Sequence, residues 1–415
     1  MAGDGKHIVI VGGGAAGITV AATLLRRAAG TKLDITVVEP SETHYYQPAF
    51  SLVGAGAFKF DRTQRPEAKL IPPQVEWIKD NATGFEPEQN RIKLSSGSTL
   101  AYDYLVVCPG LELNWDKIEG ASEALGKNGV CSNYDPAFVE YTWSTLQNLG
   151  KGATALFTQA PLPFKCPGAP QKIAYLAAHH LQRQGILKDC KLHFLTHAPT
   201  MFGVAFFARE LVKVAARWGI HTHFQHNLVA VDWKSNTATF DIVGGDKQGQ
   251  KVSMKYDLLH MTPPQSPPAA VKSSPLANAA GFVDVNQNTM QHVKFPNVFS
   301  LGDACSTPNS KTAAAVRKQA PVVVRNLFTL IRGGQLDPGY DGYASCPLTT
   351  AFGKVIMAEF IYGGKVTPTF PLDPRRERWV NWWIKVTGLP FFYWHYMLKG
   401  HDWFFPHDKD FVEPT

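Results

Sequence analysis

Two cysteines, each followed by proline, are the residues of this sequence best suited to redox chemistry. Cys166 lies in "PLPFKCPGAPQKIAYL" and Cys346 in "YASCPLTTAFG", 180 residues further on. Cys166 comes just before a predicted helix, with Lys165 beside it and Lys172 one turn along. A helix N-terminus and nearby cations both favour thiolate over thiol. The pattern predicts a reactive Cys166 with Cys346 as its partner; a buried structural thiol is the alternative.

A glycine-rich turn near the N-terminus predicts a dinucleotide-binding site. In "HIVIVGGGAAGITVAATLLRRA" a buried strand is followed by Gly12-x-Gly14-x-x-Gly17 and a helical pattern. The first glycine permits the tight turn, the second lets backbone approach a pyrophosphate, and the third lets helix pack on strand. Glu39, followed by Pro40, ends the next strand and is placed to bind a ribose hydroxyl. A glycine turn needed only for packing is the alternative.

Two later segments indicate FAD rather than NAD. "YDYLVVCPG", which ends at Gly110, resembles the segment that closes the first unit of flavoproteins with two dinucleotide-binding domains. "FPNVFSLGDA" contains Gly302 and Asp303 and resembles their second flavin motif, in which the aspartate holds the ribityl chain. The helix that follows Lys311 and Thr312 would direct its N-terminus at the flavin, where reduction builds negative charge. The three motifs predict FAD, bound non-covalently.

The middle of the chain has the outline of a second dinucleotide-binding unit without its nicotinamide signatures. The strand "ATALFTQA" and the helix "PQKIAYLAAHHLQ" are present, but the turn between them, "PLPFKCPGA", has no glycine fingerprint. The next strand ends in His197, where an acid for the ribose of NAD is expected. The electron donor is therefore predicted not to be NADH. Two thiols brought to a flavin could instead pass it the electron pair of a disulfide.

These motifs define the predicted fold class and domain organisation. We expect an α/β protein with two Rossmann-like dinucleotide-binding domains of the glutathione-reductase-like flavoprotein type. Residues 1–115 and 285–335 would form a discontinuous FAD domain, and residues 116–284 a second unit that carries Cys166 in place of an NADH site. Residues 336–415 would form a C-terminal domain with Cys346 and an aromatic, amphipathic membrane anchor.

The C-terminal segment has the composition of an anchor that lies on a membrane surface. Five of the ten tryptophans follow residue 378. One predicted helical face carries Trp379, Trp382, Trp383 and Val386, with Arg375, Arg376, Arg378 and Lys385 close by. The uncharged run 387–398 is too short to span a bilayer, whereas aromatic residues beside cations are typical of interfacial helices. A membrane-docked flavoprotein without NADH suggests quinone as the electron acceptor. The alternatives are a homo-oligomer interface and a helix pair that caps the core.

Composition and the remaining residues argue against several function classes. The net charge of +7 suits anionic lipid or small anions, and the absence of nucleic-acid-binding motifs argues against nucleic acid. The six cysteines include no CxxC pair, so neither a disulfide framework nor a zinc site is predicted. His221 and His223 alternate along a predicted strand and do not complete a set of metal ligands with His226, so no metal site is predicted.

Five further segments are far more specific than the glycine fingerprint, namely "EPSETHYYQPAFSLVGAGA", "KCPGAPQKIAYL", "MTPPQSPP", "SKTAAAV" and "YDGYASCPL". Through them the chain resembles, over nearly its whole length, the sulfide:quinone oxidoreductases, most closely the branch that includes the mitochondrial enzyme of animals. The resemblance implies that Cys166 and Cys346 face the flavin and are linked by a sulfur bridge in the resting enzyme. It also adds Gln47 to the expected FAD contacts.

The resemblance further implies a reaction. Hydrosulfide would open the bridge to a persulfide, and the sulfur released at Cys166 would add to flavin C4a. The reduced flavin would pass two electrons to membrane quinone, near Phe352, Lys385, Phe391 and Trp394. The sulfane sulfur would go to an acceptor, namely sulfide, sulfite, a thiol or cyanide.

Two features depart from the family pattern. Cys131 stands near the position at which many bacterial members carry a third cysteine. It could link to the flavin or shuttle sulfur, and we expect no covalent link. The first strand begins near His7, which leaves no room for a signal or transit peptide. A peripheral, monotopic location is expected, on the cytoplasmic membrane of a bacterium or on the inner mitochondrial membrane after removal of a leader.

Three other functions share part of this pattern. A type II NADH:quinone oxidoreductase shares the fold and the membrane habit but requires the second glycine fingerprint. A flavocytochrome-type sulfide dehydrogenase is normally exported and has no aromatic anchor. A flavin-binding scaffold without turnover would lose nothing on replacement of Cys166 or Cys346.

Overall fold

The computed structural model describes residues 5–28 and 30–401 and has the predicted mixed α/β architecture. Its strands in chain order are β1 (Lys6–Val11), β2 (Leu33–Val38), β3 (Thr43–Tyr45), β4 (Gln64–Pro66), β5 (Glu76–Ile78), β6 (Ala82–Glu86), β7 (Arg91–Leu94), β8 (Thr99–Ala101), β9 (Tyr104–Val107), β10 (Glu112–Leu113), β11 (Val130–Cys131), β12 (Thr154–Gln159), β13 (Lys191–Thr196), β14 (His221–Phe224), β15 (His226–Asp232), β16 (Thr237–Ile242), β17 (Lys251–Lys255), β18 (Leu258–His260), β19 (Gln265–Ser266), β20 (Val298–Ser300), β21 (Ala344–Ala351) and β22 (Lys354–Phe360). Its α-helices are α1 (Ala15–Arg27), α2 (Phe50–Val53), α3 (Ala121–Ala124), α4 (Val139–Gln147), α5 (Ala169–Arg183), α6 (Ala205–Arg217), α7 (Ala269–Lys272), α8 (Ala313–Ile331), α9 (Trp379–Trp383) and α10 (Leu389–His395). The outer ends of the predicted domains, including Trp403, lie outside the described residues.

Two five-stranded parallel sheets form the centres of two units. The first has the order β20-β9-β1-β2-β5 and the second the order β11-β18-β12-β13-β14. The strands are short apolar runs because helices and loops cover both faces of a parallel sheet. The predicted fold class is therefore confirmed. The antiparallel pair β10-β19 lies where the chain passes between the two units.

The β21-β22 hairpin and the C-terminal helices pack on both units. Buried residues of the hairpin join the core of the second unit, together with α5 and α6. Tyr393, Trp394, Met397 and Leu398 instead join the core of the first unit, beside β1 and α1. Residues 344–398 therefore lie across the two units and bury their apolar side chains in both.

In residues 379–395, the aromatic side chains that the sequence assigns to one face have different surroundings. A π-helical turn, Ile384–Gly388, separates α9 from α10. Trp379 and Trp383 are 67% and 50% exposed, whereas Trp382 and Val386 pack against the second core. The four side chains that the sequence assigns to one helical face are thus divided, because α9 is partly buried and the boundary between core and surface runs between them.

Candidate active site

The turn between β1 and α1 has the shape that a pyrophosphate requires. Gly12 has φ +104°, and a Cβ there would lie 2.4 Å from the carbonyl oxygen of Cys108. A Cβ at Gly17 would lie 1.8 Å from the carbonyl oxygen of Gly12, so neither position accepts a side chain. Gly14, which precedes α1, has no atom within 4 Å of such a Cβ, and its backbone is open to a ligand. These residues fit the diphosphate of FAD.

Glu39, just after β2, turns back to this loop. Its Oε2 accepts a hydrogen bond from the Gly13 N–H at 2.7 Å, and its Oε1 accepts one from the Ser41 N–H at 2.8 Å. Burial raises the pKa of the Glu39 carboxyl, and the two hydrogen bonds act in the opposite direction. The position fits a ribose hydroxyl. Pro40 beside it is exposed.

The remaining predicted flavin residues lie around the ends of β9 and β20 and the start of α8. Gly110 and Gly302 have φ +78° and +75°, conformations that favour glycine. Thr312 caps α8, and its hydroxyl oxygen accepts a hydrogen bond from the Ala315 N–H at 3.2 Å. Gln47 is exposed at the start of a short 3-10 turn before α2.

Two lysines lie near Asp303. Lys311 is buried and donates from Nζ to the carbonyl oxygen of Cys305 at 2.6 Å. Burial raises the pKa of Asp303, and the positive charges of Lys311 and Lys165 oppose that rise. The sequence predicts that Lys165 favours the thiolate of the neighbouring Cys166, but the charge of Lys165 interacts with Asp303 and Asp135. Adjacent side chains of a turn point in different directions, so adjacency in the sequence does not place this cation at the thiol.

Cys166 lies three residues before α5 in a left-handed backbone conformation, with φ +52°. Its N–H donates to the carbonyl oxygen of Lys311 at 2.8 Å and so joins this turn to the flavin segment. Its own carbonyl oxygen accepts hydrogen bonds from the Ala169 N–H at 2.8 Å and the Tyr134 hydroxyl at 3.4 Å. Strain of this kind costs about 1–3 kcal/mol at a non-glycine residue and clusters at functional sites.

The β21-β22 hairpin brings Cys346 to the same turn. Cys346 is 2% exposed, and a Cβ at Gly168 would lie 2.5 Å from its Sγ, so the thiol packs on the backbone of the Cys166 turn. Lys172 Nζ lies 3.2 Å from Cys166 Sγ. Both cysteines are free thiols in the structure. The two cysteines that the sequence singles out therefore converge in one place, next to the flavin segment.

The two thiols hold their protons unequally. A hydrogen bond with Cys346 lowers the pKa of Cys166 well below its usual value despite burial, and Lys172 and Lys385 lower it further. The same hydrogen bond and burial raise the pKa of Cys346. At neutral pH this arrangement favours a Cys166 thiolate that accepts a hydrogen bond from the Cys346 thiol, and the thiolate is the nucleophilic form.

Lys385 is the feature of the thiol site that sequence reasoning missed. The π-helical turn buries its side chain to 4% exposure, and the charges of both cysteines act on it. Burial, together with the charge of Lys172, lowers the pKa of Lys385 to about 7. The sequence placed this residue among the surface cations of the anchor and the quinone contacts. No pattern in the sequence signals its inward position, which follows from the π-helical turn, an irregularity that is frequent at functional sites.

Replacing Lys172 by methionine should raise the pKa of Cys166. The variant removes a positive charge 3.2 Å from Sγ in a buried site, so the Cys166 pKa should rise and the share of thiolate at neutral pH should fall. The measurement is the pH dependence of Cys166 alkylation by iodoacetamide. Lys165→Met is the matched control and should leave this pKa unchanged. Equal shifts of the Cys166 pKa in both variants would contradict the conclusion that Lys172, and not Lys165, acts on this thiol.

The other predicted quinone contacts fall in different surroundings. Phe391 is 49% exposed on α10, whereas Trp394 is 5% exposed within the first core. Phe352 lies in the β21-β22 turn, half-buried between Trp382 and the Arg183 guanidinium. These three side chains thus do not lie together, and they do not share one surface.

Cys131 lies apart from the Cys166–Cys346 pair. Its side chain is 0% exposed in the second core, and burial raises its thiol pKa to about 12, which favours an inert thiol. No cluster of three or more metal-ligating side chains occurs in the parts of the chain that the structure describes. Within those same residues, no helix combines the length and apolar character needed to cross a bilayer.

Comparison with known proteins defines the class to which this arrangement belongs. The pyridine nucleotide-disulphide oxidoreductase family matches residues 6–320. The chain is therefore a flavoprotein with two dinucleotide-binding domains, and the predicted cofactor, FAD, is confirmed.

Individual relatives narrow the class to one family. The mitochondrial sulfide:quinone oxidoreductase of Dictyostelium discoideum is 44% identical over 96% of this chain and 86% of its own length. That of Mus musculus is 40% identical over 95% of this chain and 87% of its own length. The sulfide:quinone oxidoreductase structure from Aquifex aeolicus matches with a TM-score of 0.79 at 22% identity, over 96% of this chain and 92% of that chain. The chain belongs to the sulfide:quinone oxidoreductases.

The main rival matches far less of the chain. A type II NADH:quinone oxidoreductase of Staphylococcus haemolyticus is 26% identical over 31% of this chain. This agrees with the missing second glycine fingerprint, and the NADH-dependent alternative is not favoured.

Proposed function

We propose that this chain oxidises sulfide at the Cys166–Cys346 pair and delivers the electrons to a membrane quinone. The observation that carries the proposal is the packing of Cys346 Sγ on the Cys166 turn, which is itself hydrogen-bonded to the flavin segment. Two thiols beside a flavin site and no nicotinamide fingerprint favour a sulfur donor. FAD, bound by the glycine loops, supplies a two-electron acceptor next to the pair.

The charges of the site suggest the order of sulfur exchange. When the two cysteines form a disulfide, hydrosulfide attacks the Cys346 sulfur, the S–S bond breaks, and Cys346 becomes a persulfide. Cys166 leaves as the thiolate, because the thiol of lower pKa is the better leaving group and Lys172 lies beside it. Lys385, whose pKa is about 7, adds a partial positive charge near the incoming anion at neutral pH.

A small nucleophile completes the sulfur transfer. Sulfide, sulfite, a thiol or cyanide attacks the outer sulfur of the persulfide, and Cys346 is released as a thiolate. The two thiolates then re-form the disulfide, giving up one electron pair. The sum is hydrosulfide plus nucleophile giving the sulfurated nucleophile, one proton and two electrons. Bound FAD would accept this electron pair, and quinone would be its final acceptor.

Spectroscopy of the purified protein tests the function directly. Anaerobic sulfide should bleach the oxidised flavin, and a soluble quinone analogue should restore its absorbance. NADH should leave the flavin oxidised, because the second unit lacks the fingerprint for it. Bleaching by NADH together with no response to sulfide would overturn the proposal in favour of the type II NADH:quinone oxidoreductase.

The quinone is expected to come from a membrane on which the C-terminal helices rest. Six of the ten exposed large apolar side chains of the described residues lie between 370 and 391, namely Phe370, Leu372, Trp379, Val380, Trp383 and Phe391. A groove of about 460 Å³ between α6 and residues 375–377 is lined by Lys213, Arg217, Arg375 and Arg376 beside two glutamates. Apolar side chains next to cations suit a monotopic protein on an anionic respiratory membrane, mitochondrial inner or bacterial cytoplasmic.

Replacing Trp379 and Trp383 by glutamine should weaken binding to anionic vesicles. Burial of one large apolar side chain contributes roughly 1.5–3 kcal/mol, so about a tenfold or greater loss is expected in vesicle sedimentation. Val293→Ser, at a site 54% exposed, is the matched control and should bind normally. If the double variant instead keeps vesicle binding and changes the sedimentation coefficient of the free protein, the patch is a homo-oligomer interface.

A further inference from the structure

Three buried polar side chains form a continuous chain between β3 and α10, outside the thiol site. His44 Nδ1 lies 3.3 Å from Glu67 Oε2, and His44 Nε2 lies 2.6 Å from the Tyr393 hydroxyl. The three residues are 4%, 1% and 5% exposed. Buried groups of this kind are costly to leave unpaired, so each depends on its neighbour for compensation.

Glu67, at one end of this row of three side chains, reaches the dinucleotide loop. A Cβ at Gly13 would lie 2.9 Å from Glu67 Oε1, and this oxygen is buried without a hydrogen-bond partner. Glu39, which accepts the Gly13 N–H, is near enough for the charge of Glu67 to act on it. Two carboxylates therefore approach the same loop, and His44 is the partner that compensates the second.

Tyr393, at the other end of the row, belongs to the C-terminal segment. The Tyr393 ring packs on Tyr46 with centroids 4.7 Å apart, and the neighbouring Trp394 ring lies 5.8 Å from that of His44. A Cβ at Gly400 would lie 2.5 Å from the backbone carbon of Ala22, so the segment also touches α1 directly. The helix that starts at the dinucleotide loop is thus in contact with the residues that follow α10.

We propose that Glu67, His44 and Tyr393 form a positioning relay through which docking of the C-terminal segment strengthens FAD binding. Glu67 faces the loop, His44 holds Glu67 in place, and the Tyr393 hydroxyl fixes the orientation of the imidazole. The proposal rests on the assignment of FAD to the Gly12–Gly17 loop. By linkage, FAD should in turn hold the C-terminal segment in its docked position.

The test uses the full-length protein and two readouts that do not depend on activity. The first is the FAD dissociation constant of the apoprotein, and the second is the protection of Lys399 from trypsin by FAD. Tyr393→Phe keeps the ring and removes the hydroxyl. It should weaken FAD binding about tenfold, as expected for a hydrogen bond within a charged network, and should lower the protection. Tyr175→Phe loses a buried hydroxyl bonded to Gln171 in the second unit and should change neither readout.

A double variant separates a relay from independent effects. If the three residues act as one unit, Glu67→Gln should also weaken FAD binding about tenfold, and the pair with Tyr393→Phe should lose little more. A loss of about a hundredfold in the double variant, or normal FAD affinity in Tyr393→Phe, overturns the relay. Glu39→Gln reports on the underlying assignment. If it leaves FAD binding unchanged, the placement of FAD at this loop fails, and the relay with it.

Discussion

Serine in place of either Cys166 or Cys346 should abolish reduction of the flavin by sulfide while FAD stays bound. Each variant removes one sulfur of the pair that must exchange with hydrosulfide, and a hydroxyl cannot take its place. Loss of a covalent nucleophile costs at least about 10⁴-fold in rate, and the loss is not additive when residues act as a unit. The double variant should therefore be no slower than either single one. The measurement is anaerobic stopped-flow absorbance of the flavin after mixing with sulfide.

Two other cysteines provide the controls for this experiment. Cys190→Ser replaces a half-buried thiol of the second unit, and Cys131→Ser replaces the buried thiol of the second core. In both variants sulfide should reduce the flavin at the normal rate, and the denatured protein should release its FAD. A rate loss in Cys131→Ser comparable to that of the active pair, or FAD that stays attached after denaturation, would assign Cys131 to the chemistry.

Valine in place of Gly168 should slow flavin reduction by sulfide about a hundredfold, the cost expected for a displacement of about 1 Å at a reacting centre. The backbone at Gly168 has φ −84°, which any residue accepts, so the effect comes from space alone. A Cβ would lie 2.5 Å both from Cys346 Sγ and from Leu348 Cδ2, and must push the hairpin away from the Cys166 turn. FAD should stay bound, because the atoms nearest to the added Cβ belong to Cys346, Leu348 and Lys172 and not to the Gly12–Gly17 loop.

Gly150→Val is the matched control for this steric argument. Gly150 has no atom within 4 Å of an added Cβ, so the variant should reduce at the normal rate. A Gly168→Val protein that reacts with sulfide as fast as the parent would mean that Cys346 need not pack on the Cys166 turn. The proposed convergence of the two thiols would then be incorrect.

Local patterns in the sequence were sufficient to predict the dinucleotide site. The tight turn at Gly12 and the close contact at Gly17 are short-range constraints, because only glycine fits there, and the motif records them residue by residue. The same holds for the return of Glu39 to the loop and for the absence of a second glycine fingerprint. These features made the fold class, FAD and the rejection of NADH predictable.

The charges around the thiols depended on tertiary structure. The sequence placed Lys165 beside Cys166 and Lys385 on an anchor surface, yet Lys165 interacts with Asp303 and Lys385 is buried near the thiols. The direction in which a side chain points from a turn, and the side of a helix on which a residue lies after a π-helical turn, are set by packing with distant elements. Local spacing in the sequence does not encode that packing.

The sequence by itself therefore determined the fold class and the cofactor and predicted the two cysteines of the proposed pair, since each is written in residue type and short spacing. Only the tertiary structure decided which lysines face the thiols, which aromatic residues remain exposed, and that Glu67, His44 and Tyr393 meet. Those contacts join residues up to 349 positions apart, and they arise when two sheets and a C-terminal segment pack together.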